Sequence, residues 1–198
     1  FEGDDYNEMT DPVTPQMRGI DGLNPMDEAF FDAYSHGVTT AVTGPGSANV
    51  VGGTFAAIKL SGCRVDKMLV KEPLAMKCAF GENPKRCYGQ AGKKAPMTRM
   101  GVAALLRELL FKTRRYLEDK EAGKAPAFDM KLESMIPVVK GELPLKVHAH
   151  RHDDILTAIR IGKEFGLKLT LDHCTDGALI AGELAEEGFP AFVAPTYG

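Results

Sequence analysis

The last third of the chain alternates strand-like and helix-like segments, and this alternation restricts the fold more than any other feature. Strands are predicted at 145–149, 167–171 and 190–194, with helices at 153–165 and 176–187 between them. Strands that are connected through helices by short loops form parallel sheets with helices packed on them. The sequence therefore predicts an α/β fold built on a parallel sheet.

Further strands are predicted upstream, at 38–43, 55–60 and 74–80. They bring the total to about six parallel strands, which is typical of part of a (β/α)8 TIM barrel. A doubly wound open sheet is the alternative. We expect the 198 residues to form a single incomplete TIM-barrel domain, with an irregular loop at 1–23 and a long basic loop at 82–98.

Composition narrows the classes of function. Apolar residues make up 44% and charged residues 26% of a chain with a net charge of −3, so neither disorder nor a nucleic-acid partner is expected. No apolar run approaches the ~18 residues of a membrane span. The four cysteines form no CxxC pair, which favours a reduced, cytoplasmic protein. The chain begins at Phe1 rather than at a methionine, and we expect a fragment of a longer protein.

Four of the five histidines lie between positions 148 and 173. His148 is near the carboxyl end of one predicted strand and His173 follows the next, and parallel sheets carry their ligands at these ends. Neighbouring strands are about 4.8 Å apart, so two imidazoles at matching depth can reach one metal ion. The alternative is that each histidine only satisfies local hydrogen bonds.

The other two histidines of this group differ in their expected roles. His150 has the same strand parity as His148, so it is a candidate for contact with a substrate or with the metal ligands. His152 precedes two aspartates and is better explained as the exposed start of a helix.

Two features upstream of the histidines carry further hypotheses. Lys77 lies inside an apolar strand, where a lysine is costly unless it is paired, neutral or modified. Reaction with CO2 would convert Lys77 into an anionic metal ligand. Glu82 is the alternative oxygen ligand. If Lys77 has no role at the metal, its ammonium group is expected to reach solvent from the end of the barrel. The glycine-rich segment 44–49 could cradle a phosphate, although a strand-to-loop turn is the better explanation.

Taken together, these residues resemble one known family. The run 79–86, the segments 147–150 and 171–173, and the weaker run 37–40 are similar to the amidohydrolase superfamily, and most of all to its imidazolonepropionase-like metal-dependent hydrolases. The resemblance spans nearly the whole chain. It implies a (β/α)8 barrel with one or two divalent metal ions, zinc first among them, at the carboxyl ends of the strands.

Within that resemblance, His148 is similar to the metal ligand on the fifth barrel strand and His173 to the ligand on the sixth. Lys77 in a carboxylated form, or else Glu82, is similar to the bridging ligand on the fourth strand. No HxH motif precedes residue 37, and the chain ends after what resembles the seventh strand. We therefore expect the first and eighth strands, with the aspartate that handles the proton in catalysis, to lie outside this chain.

The reaction that the resemblance implies is hydrolysis of an amide or cyclic amide C–N bond by a metal-activated water. Without the aspartate, we expect the fragment to be weakly active or inactive. Its expected partners are a small-molecule substrate and, through open sheet edges, a second copy or a complementary fragment; neither nucleic acid nor a membrane is expected. The rival hypotheses are a non-catalytic binding or structural module and an open-sheet enzyme that binds a phosphorylated ligand.

Overall fold

The computed structural model describes residues 5–193, in which six strands form one sheet. Neighbours in the chain are neighbours in the sheet: β1 Thr40–Thr43, β2 Val51–Lys59, β3 Leu69–Ala79, β4 Leu145–Ala149, β5 Leu169–His173 and β6 Ala191–Val193. Residues 1–4 of the predicted irregular loop and residue 194 of the last predicted strand lie outside the described residues, as do residues 195–198.

Five of the six strands run in one direction. Strands β3 to β6 pair in parallel, whereas β1 and β3 each pair antiparallel with β2, so β2 is reversed. The predicted α/β partial barrel is confirmed, and the prediction of about six parallel strands needs one correction, at β2. The connections 44–50 and 60–68 are shorter than the dozen or so residues of a parallel crossover, so each connection reverses the chain.

Helices follow most of the predicted positions. Their bounds are α1 Glu28–Ser35, α2 Val65–Met68, α3 Glu82–Pro84, α4 Arg99–Glu121, α5 Met130–Val139, α6 His152–Phe165 and α7 Ala181–Glu187. Side-chain caps fix three of the starts: Asp27 accepts from the Ala29 amide, Thr98 from the Gly101 amide, and Asp129 from the amides of Lys131 and Leu132. Gly166, with φ of 60°, ends α6 in the left-handed conformation that glycine favours.

The segment after β3 differs from the predicted long loop at 82–98. Its first nine residues are helical: α3 continues directly into a π-helix at Lys85–Gln90. Tyr88 in this π-helix is buried, and its hydroxyl donates to the backbone oxygens of Glu8 and Asp11 at 2.6 and 3.1 Å. The basic, glycine-containing composition gave no sign of this helix, because a contact with a distant segment stabilises it.

The main hydrophobic core lies between one face of the sheet and the helices α4, α5 and α6. Alternate strand positions supply the sheet side, among them Met76 and Cys78 of β3, Val147 of β4 and Leu171 of β5. A second, smaller core lies under β2 and α2. The sheet therefore has its apolar face toward the helices, and the other set of alternate positions is free to carry polar groups.

Polar and charged side chains occupy the opposite face of the parallel strands, which we call the inner face. Lys77 pairs in register with Lys146, and Ala79, His148 and Asp172 form the next row across β3, β4 and β5. Lys77, His148 and Asp172 are all buried. Buried ionisable groups on one face, at the carboxyl ends of parallel strands, are the usual composition of a ligand site.

The irregular segment before α1 runs along β2. Backbone bridges join Val13 to Val51 and Arg18 to Thr54, and a short 3-10 helix at Gly19–Gly22 follows. Gly53, with φ of 120°, allows this approach, since a Cβ there would stand 2.4 Å from the carbonyl oxygen of Met17. In residues 5–193 none of the helices has the length and apolarity needed to cross a bilayer.

Candidate metal centre

Three imidazoles meet at the carboxyl ends of β4 and β5. The ring centroid of His148 lies 4.6 Å from that of His150 and 4.6 Å from that of His173. The centroids of His150 and His173 are 4.8 Å apart. Each ring offers one nitrogen such that all three nitrogens lie within 4.8 Å of one another. This group could hold a metal ion. Among the histidine, cysteine, aspartate and glutamate side chains of residues 5–193, no other group of three or more has its ligand atoms this close together.

His148 is the buried member of the group. Its side chain leaves the inner face of β4, where the residue is 4% exposed. Its Nε2 lies 3.1 Å from the side-chain amide nitrogen of Asn83, in α3. Its Nδ1 is buried and has no hydrogen-bond partner among residues 5–193. An unpaired polar atom in a buried site is rare in proteins, and an imidazole nitrogen with a free lone pair there can bind a cation.

His173 reaches the group by a different route from the expected one. In the register of β4 and β5, His148 pairs with Asp172, and His173 pairs with Ala149 one row further on. The prediction that His148 and His173 stand at matching depth was therefore wrong by one residue. Strand alternation alone would point His173 to the helix side, but His173 and Cys174 have φ of 69° and 46°. These left-handed conformations return the His173 ring to the inner face.

His150, expected only as a contact residue, lies within the group itself. It follows β4 directly, and its Nδ1 is 2.8 Å from the hydroxyl oxygen of Thr175. The turns after β4 and β5 are joined by two backbone bonds, from the Cys174 amide to the Ala149 carbonyl and from the Asp176 amide to the His150 carbonyl. These bonds fix the backbone of the two turns that carry His150 and His173.

The surroundings of His148 and His150 favour the neutral form of both imidazoles. Burial, followed by the positive charge of Lys77 and the neighbouring rings, lowers the pKa of His148 to about 3. Burial and His173 lower the pKa of His150, against a smaller opposing effect of Asp176. A metal binds the unprotonated imidazole, so the protonation state of His148 at neutral pH is the one that coordination requires.

Lys77 lies on the inner face below the histidines. It is 4% exposed, so the alternative in which its head reaches solvent is wrong. Its Nζ is 3.5 Å from Oδ2 of Asp172, while Lys146 Nζ lies 2.7 Å from the other oxygen of that carboxylate. Burial lowers the pKa of Lys77, although Asp172 opposes the shift. The larger share of neutral amine that results is the form that can react with CO2.

Glu82, the alternative oxygen ligand, has its carboxylate at the surface. It forms ion pairs with Lys85 and with Arg99, each at 2.9 Å, and its side chain is 48% exposed. The three-histidine group does not include it. The remaining two histidines are also elsewhere: His152 begins α6, as expected, and His36 ends α1.

Two amides of the glycine-rich segment 44–49 bond to the N-terminal segment. The Gly46 amide donates to the Tyr6 carbonyl at 2.8 Å, and the Ala48 amide donates to the side-chain oxygen of Asn7 at 3.1 Å. A Cβ on Gly46 would stand 2.4 Å from the Tyr6 ring. Gly46 is therefore explained by the close approach of the N-terminal segment, and the amides of Gly46 and Ala48 are not free to bind a phosphate.

A cavity of about 600 Å³ lies along the π-helix, next to Asn83. It is lined by Met9, Asn83, Arg86, Cys87, Gln90 and Ala91. Asn83 connects it to the group, because the same side chain contacts His148. The guanidinium of Arg86 forms no ion pair with any residue in 5–193, in contrast to Lys85 and Arg99 beside it.

Sequence reasoning missed three residues of this region. Lys146 and Asp172 were not singled out, although Lys146 interrupts an apolar strand in the way that Lys77 does. Asn83 was noticed only as part of the run 79–86. Its contact with His148 spans 65 positions, and nothing in the local pattern indicates it.

Known proteins that are similar to this chain in sequence or in structure are named amidohydrolases. No family model matches the sequence. A crystal structure of an amidohydrolase from Thermotoga maritima MSB8 superposes with a TM-score of 0.93 at 45% identity, over 98% of this chain and 53% of that one. Both the sequence and the fold resemble amidohydrolases.

A second relative supports the resemblance to amidohydrolases. The protein named amidohydrolase tasK, from Hapsidospora irregularis, is 28% identical in an alignment that covers 91% of this chain and 21% of that protein. The chain thus spans about half of the one relative and a fifth of the other. The amidohydrolase names support a hydrolase, and the three-histidine group is a place where such an enzyme could hold its metal.

Proposed function

We propose that this chain carries the metal-binding centre of an amidohydrolase that cleaves a C–N bond in an amide or cyclic amide. One observation supports this most strongly: three imidazoles lie within 4.8 Å of one another, and one of them has a buried nitrogen without a partner among residues 5–193. The two amidohydrolase relatives agree with it. Zinc is the ion we propose, because three imidazoles are a common ligand set for catalytic zinc.

In this proposal His148, His150 and His173 hold the ion, and Lys77 is the candidate for an additional anionic ligand after reaction with CO2. A bound divalent ion would lower the pKa of water and polarise the scissile carbonyl. Glu82 is the weaker candidate, because its carboxylate is already paired with two cations at the surface. Before any reaction with CO2, the ammonium form of Lys77 pairs with Asp172 at 3.5 Å on the inner face.

The substrate we propose is a small molecule that enters the cavity beside the π-helix. Arg86, Asn83 and Gln90 supply hydrogen-bond donors there, while Met9 and Ala91 supply an apolar wall. The likeness to imidazolonepropionase-like enzymes, a reduced cytoplasmic location and association through sheet edges stay predictions. Because the group within residues 5–193 contains no carboxylate, we expect the isolated chain to turn over substrate weakly or not at all.

Metal analysis tests the proposal. The chain is purified without chelator, and its zinc content is measured beside that of His148→Ala and His173→Ala. We expect bound zinc in the parent chain and its loss in both variants. His36→Ala is the matched control, since His36 ends α1 outside the group, and it should keep the metal content of the parent.

The rival hypothesis of a non-catalytic module makes the opposite prediction. In that case the histidines only satisfy local hydrogen bonds, and the zinc content of all three variants equals that of the parent. Such a result would reject the metal centre. Treatment with a chelator followed by titration with zinc distinguishes a specific site from loose surface binding, because only the specific site saturates at a fixed stoichiometry.

A further inference from the structure

We propose that Asn83 is a positioning residue that selects the tautomer of His148. The side-chain carbonyl of Asn83 accepts a hydrogen bond from Nε2–H, and the lone pair of Nδ1 is thereby directed to the cation. This inference rests on the proposed metal centre for its purpose, but the tautomer itself is a property of the metal-free chain. Three observations support it: the contact at Nε2, the unpartnered Nδ1 and the way in which α3 is anchored.

The contact between Asn83 and His148 allows two arrangements. The amide nitrogen of Asn83 stands 3.1 Å from Nε2, and a half-turn of the amide group places its oxygen there instead. If the amide nitrogen donates, Nε2 carries the lone pair and Nδ1 carries the proton. If the amide oxygen accepts, Nε2 carries the proton and Nδ1 carries the lone pair.

Burial distinguishes these arrangements. The Nδ1 atom of His148 is buried with no hydrogen-bond partner among residues 5–193. A proton on Nδ1 would therefore be a buried donor without an acceptor, and the ring would have no free lone pair for a cation. With the proton on Nε2, that N–H is bonded to Asn83, and the lone pair of the buried Nδ1 is available to a cation. Histidines that bind metals usually donate their second N–H in this way.

The chain holds Asn83 firmly over β4. The Phe80 amide donates to the His148 carbonyl at 2.9 Å, so the end of β3 is fixed beside the histidine. Glu82 pairs with Arg99, and Arg99 in turn pairs with Asp154 of α6, at 2.9 and 3.0 Å. A residue whose neighbours are fixed at both strand and helix can impose one orientation on the imidazole.

Nitrogen NMR of the metal-free chain tests the tautomer directly. The 198-residue protein is labelled with 15N-histidine and stripped of metal with EDTA, and two-bond 1H–15N correlations report which ring nitrogen is protonated. His148→Ala identifies the signals of His148. We expect Nε2–H in the parent and in Asn83→Asp, which keeps an acceptor and cannot donate when ionised. In Asn83→Leu neither nitrogen has a partner, so we expect a mixture in which signals of Nδ1–H appear beside those of Nε2–H.

Zinc affinity is the second measurement. Competition with a chromophoric chelator should show affinity reduced about 10–100-fold in Asn83→Leu and largely retained in Asn83→Asp. Gln90→Leu is the matched control, because Gln90 lines the same cavity and has no hydrogen bond to His148. It should bind zinc like the parent.

Each outcome decides one hypothesis. Nδ1–H in the metal-free parent, or equal zinc affinity in the parent and Asn83→Leu, would overturn the role of Asn83. If the parent binds no zinc, the proposed metal centre fails, whereas the tautomer measurement still decides what Asn83 does. If Asn83→Leu does not fold, the comparison of the parent with Asn83→Asp remains decisive: a protonated Nδ1 in either protein contradicts the proposal.

Discussion

The ammonium group of Lys77 lies 3.5 Å from the carboxylate of Asp172, across two strands of the sheet, and both side chains are at most 10% exposed. The same carboxylate also accepts from Lys146 at 2.7 Å. One anion therefore compensates two cations below the three-histidine group. Removal of one partner from a buried ion pair leaves an uncompensated charge, which costs far more than loss of a surface pair.

Asp172→Asn should destabilise the chain by about 3 kcal/mol, since it leaves Lys77 and Lys146 without their anion. The measurement is urea unfolding followed by circular dichroism. Asp66→Asn is the matched control: its pair with Arg64 at 3.0 Å is exposed on both sides, and its loss should cost less than about 1 kcal/mol. Equal effects of the two substitutions would show that the inner-face cluster contributes no more than a surface pair.

Gly81→Ala should destabilise the chain by about 2–4 kcal/mol, from left-handed strain together with a clash. Gly81 has φ of 80°, and a Cβ there would stand 2.7 Å from the carboxylate of Asp154. Gly123→Ala separates the two effects, because Gly123 has φ of 72° with nothing within 4 Å of the added carbon. That control should lose only about 1 kcal/mol in the same unfolding measurement. A similar loss for both variants would contradict the close approach at Asp154.

Leu110→Ala should cost about 2–5 kcal/mol, because it opens a cavity between α4 and the sheet. Leu110 is fully buried in the main core, whereas Met100, near the start of the same helix, is 78% exposed. Met100→Ala should change stability by less than about 0.5 kcal/mol. Thermal or urea unfolding of the two variants compares these positions within one helix, and a small effect at Leu110 would show that α4 does not pack as described.

The thiols should react in a defined order with a chromogenic disulfide reagent. Cys63 is exposed and should react first in the folded chain. Burial raises the pKa of Cys78 to about 12, and burial also raises the pKa of Cys174, so both thiols should react only when the chain unfolds. Cys63→Ser should remove the fast phase. Rapid labelling of Cys78 under native conditions would be incompatible with its place in the core.

The sequence predicts much of the parallel half of the fold, because its periodicities are local. Strand β4 occupies the predicted residues 145–149, and α6 begins one residue before the predicted helix. Turns and helix ends at glycine gave the boundaries there. The reversed β2 was missed because strand direction depends on the length of the connections, which segment patterns do not express.

The candidate site was predictable only in part. His148 and His173 were found because both lie near strand ends, but their relative depth was not, since the register of β4 and β5 is set by packing across the sheet. Asp172 and Lys146 become partners only through that register. Asn83 meets His148 through a turn that two helices and several ion pairs stabilise, and no period of two or 3.6 residues indicates such a contact.

The left-handed pair His173 and Cys174 has a consequence for the order in which the centre is assembled. The third imidazole is in position only after β5 has docked and the chain has made that tight corner, so an unfolded or half-docked chain offers the ion a poorer set of ligands. Uptake of the ion should therefore come late in refolding. An ion bound by the three histidines would then link the carboxyl ends of β4 and β5, and it would have to be released before these strands separate.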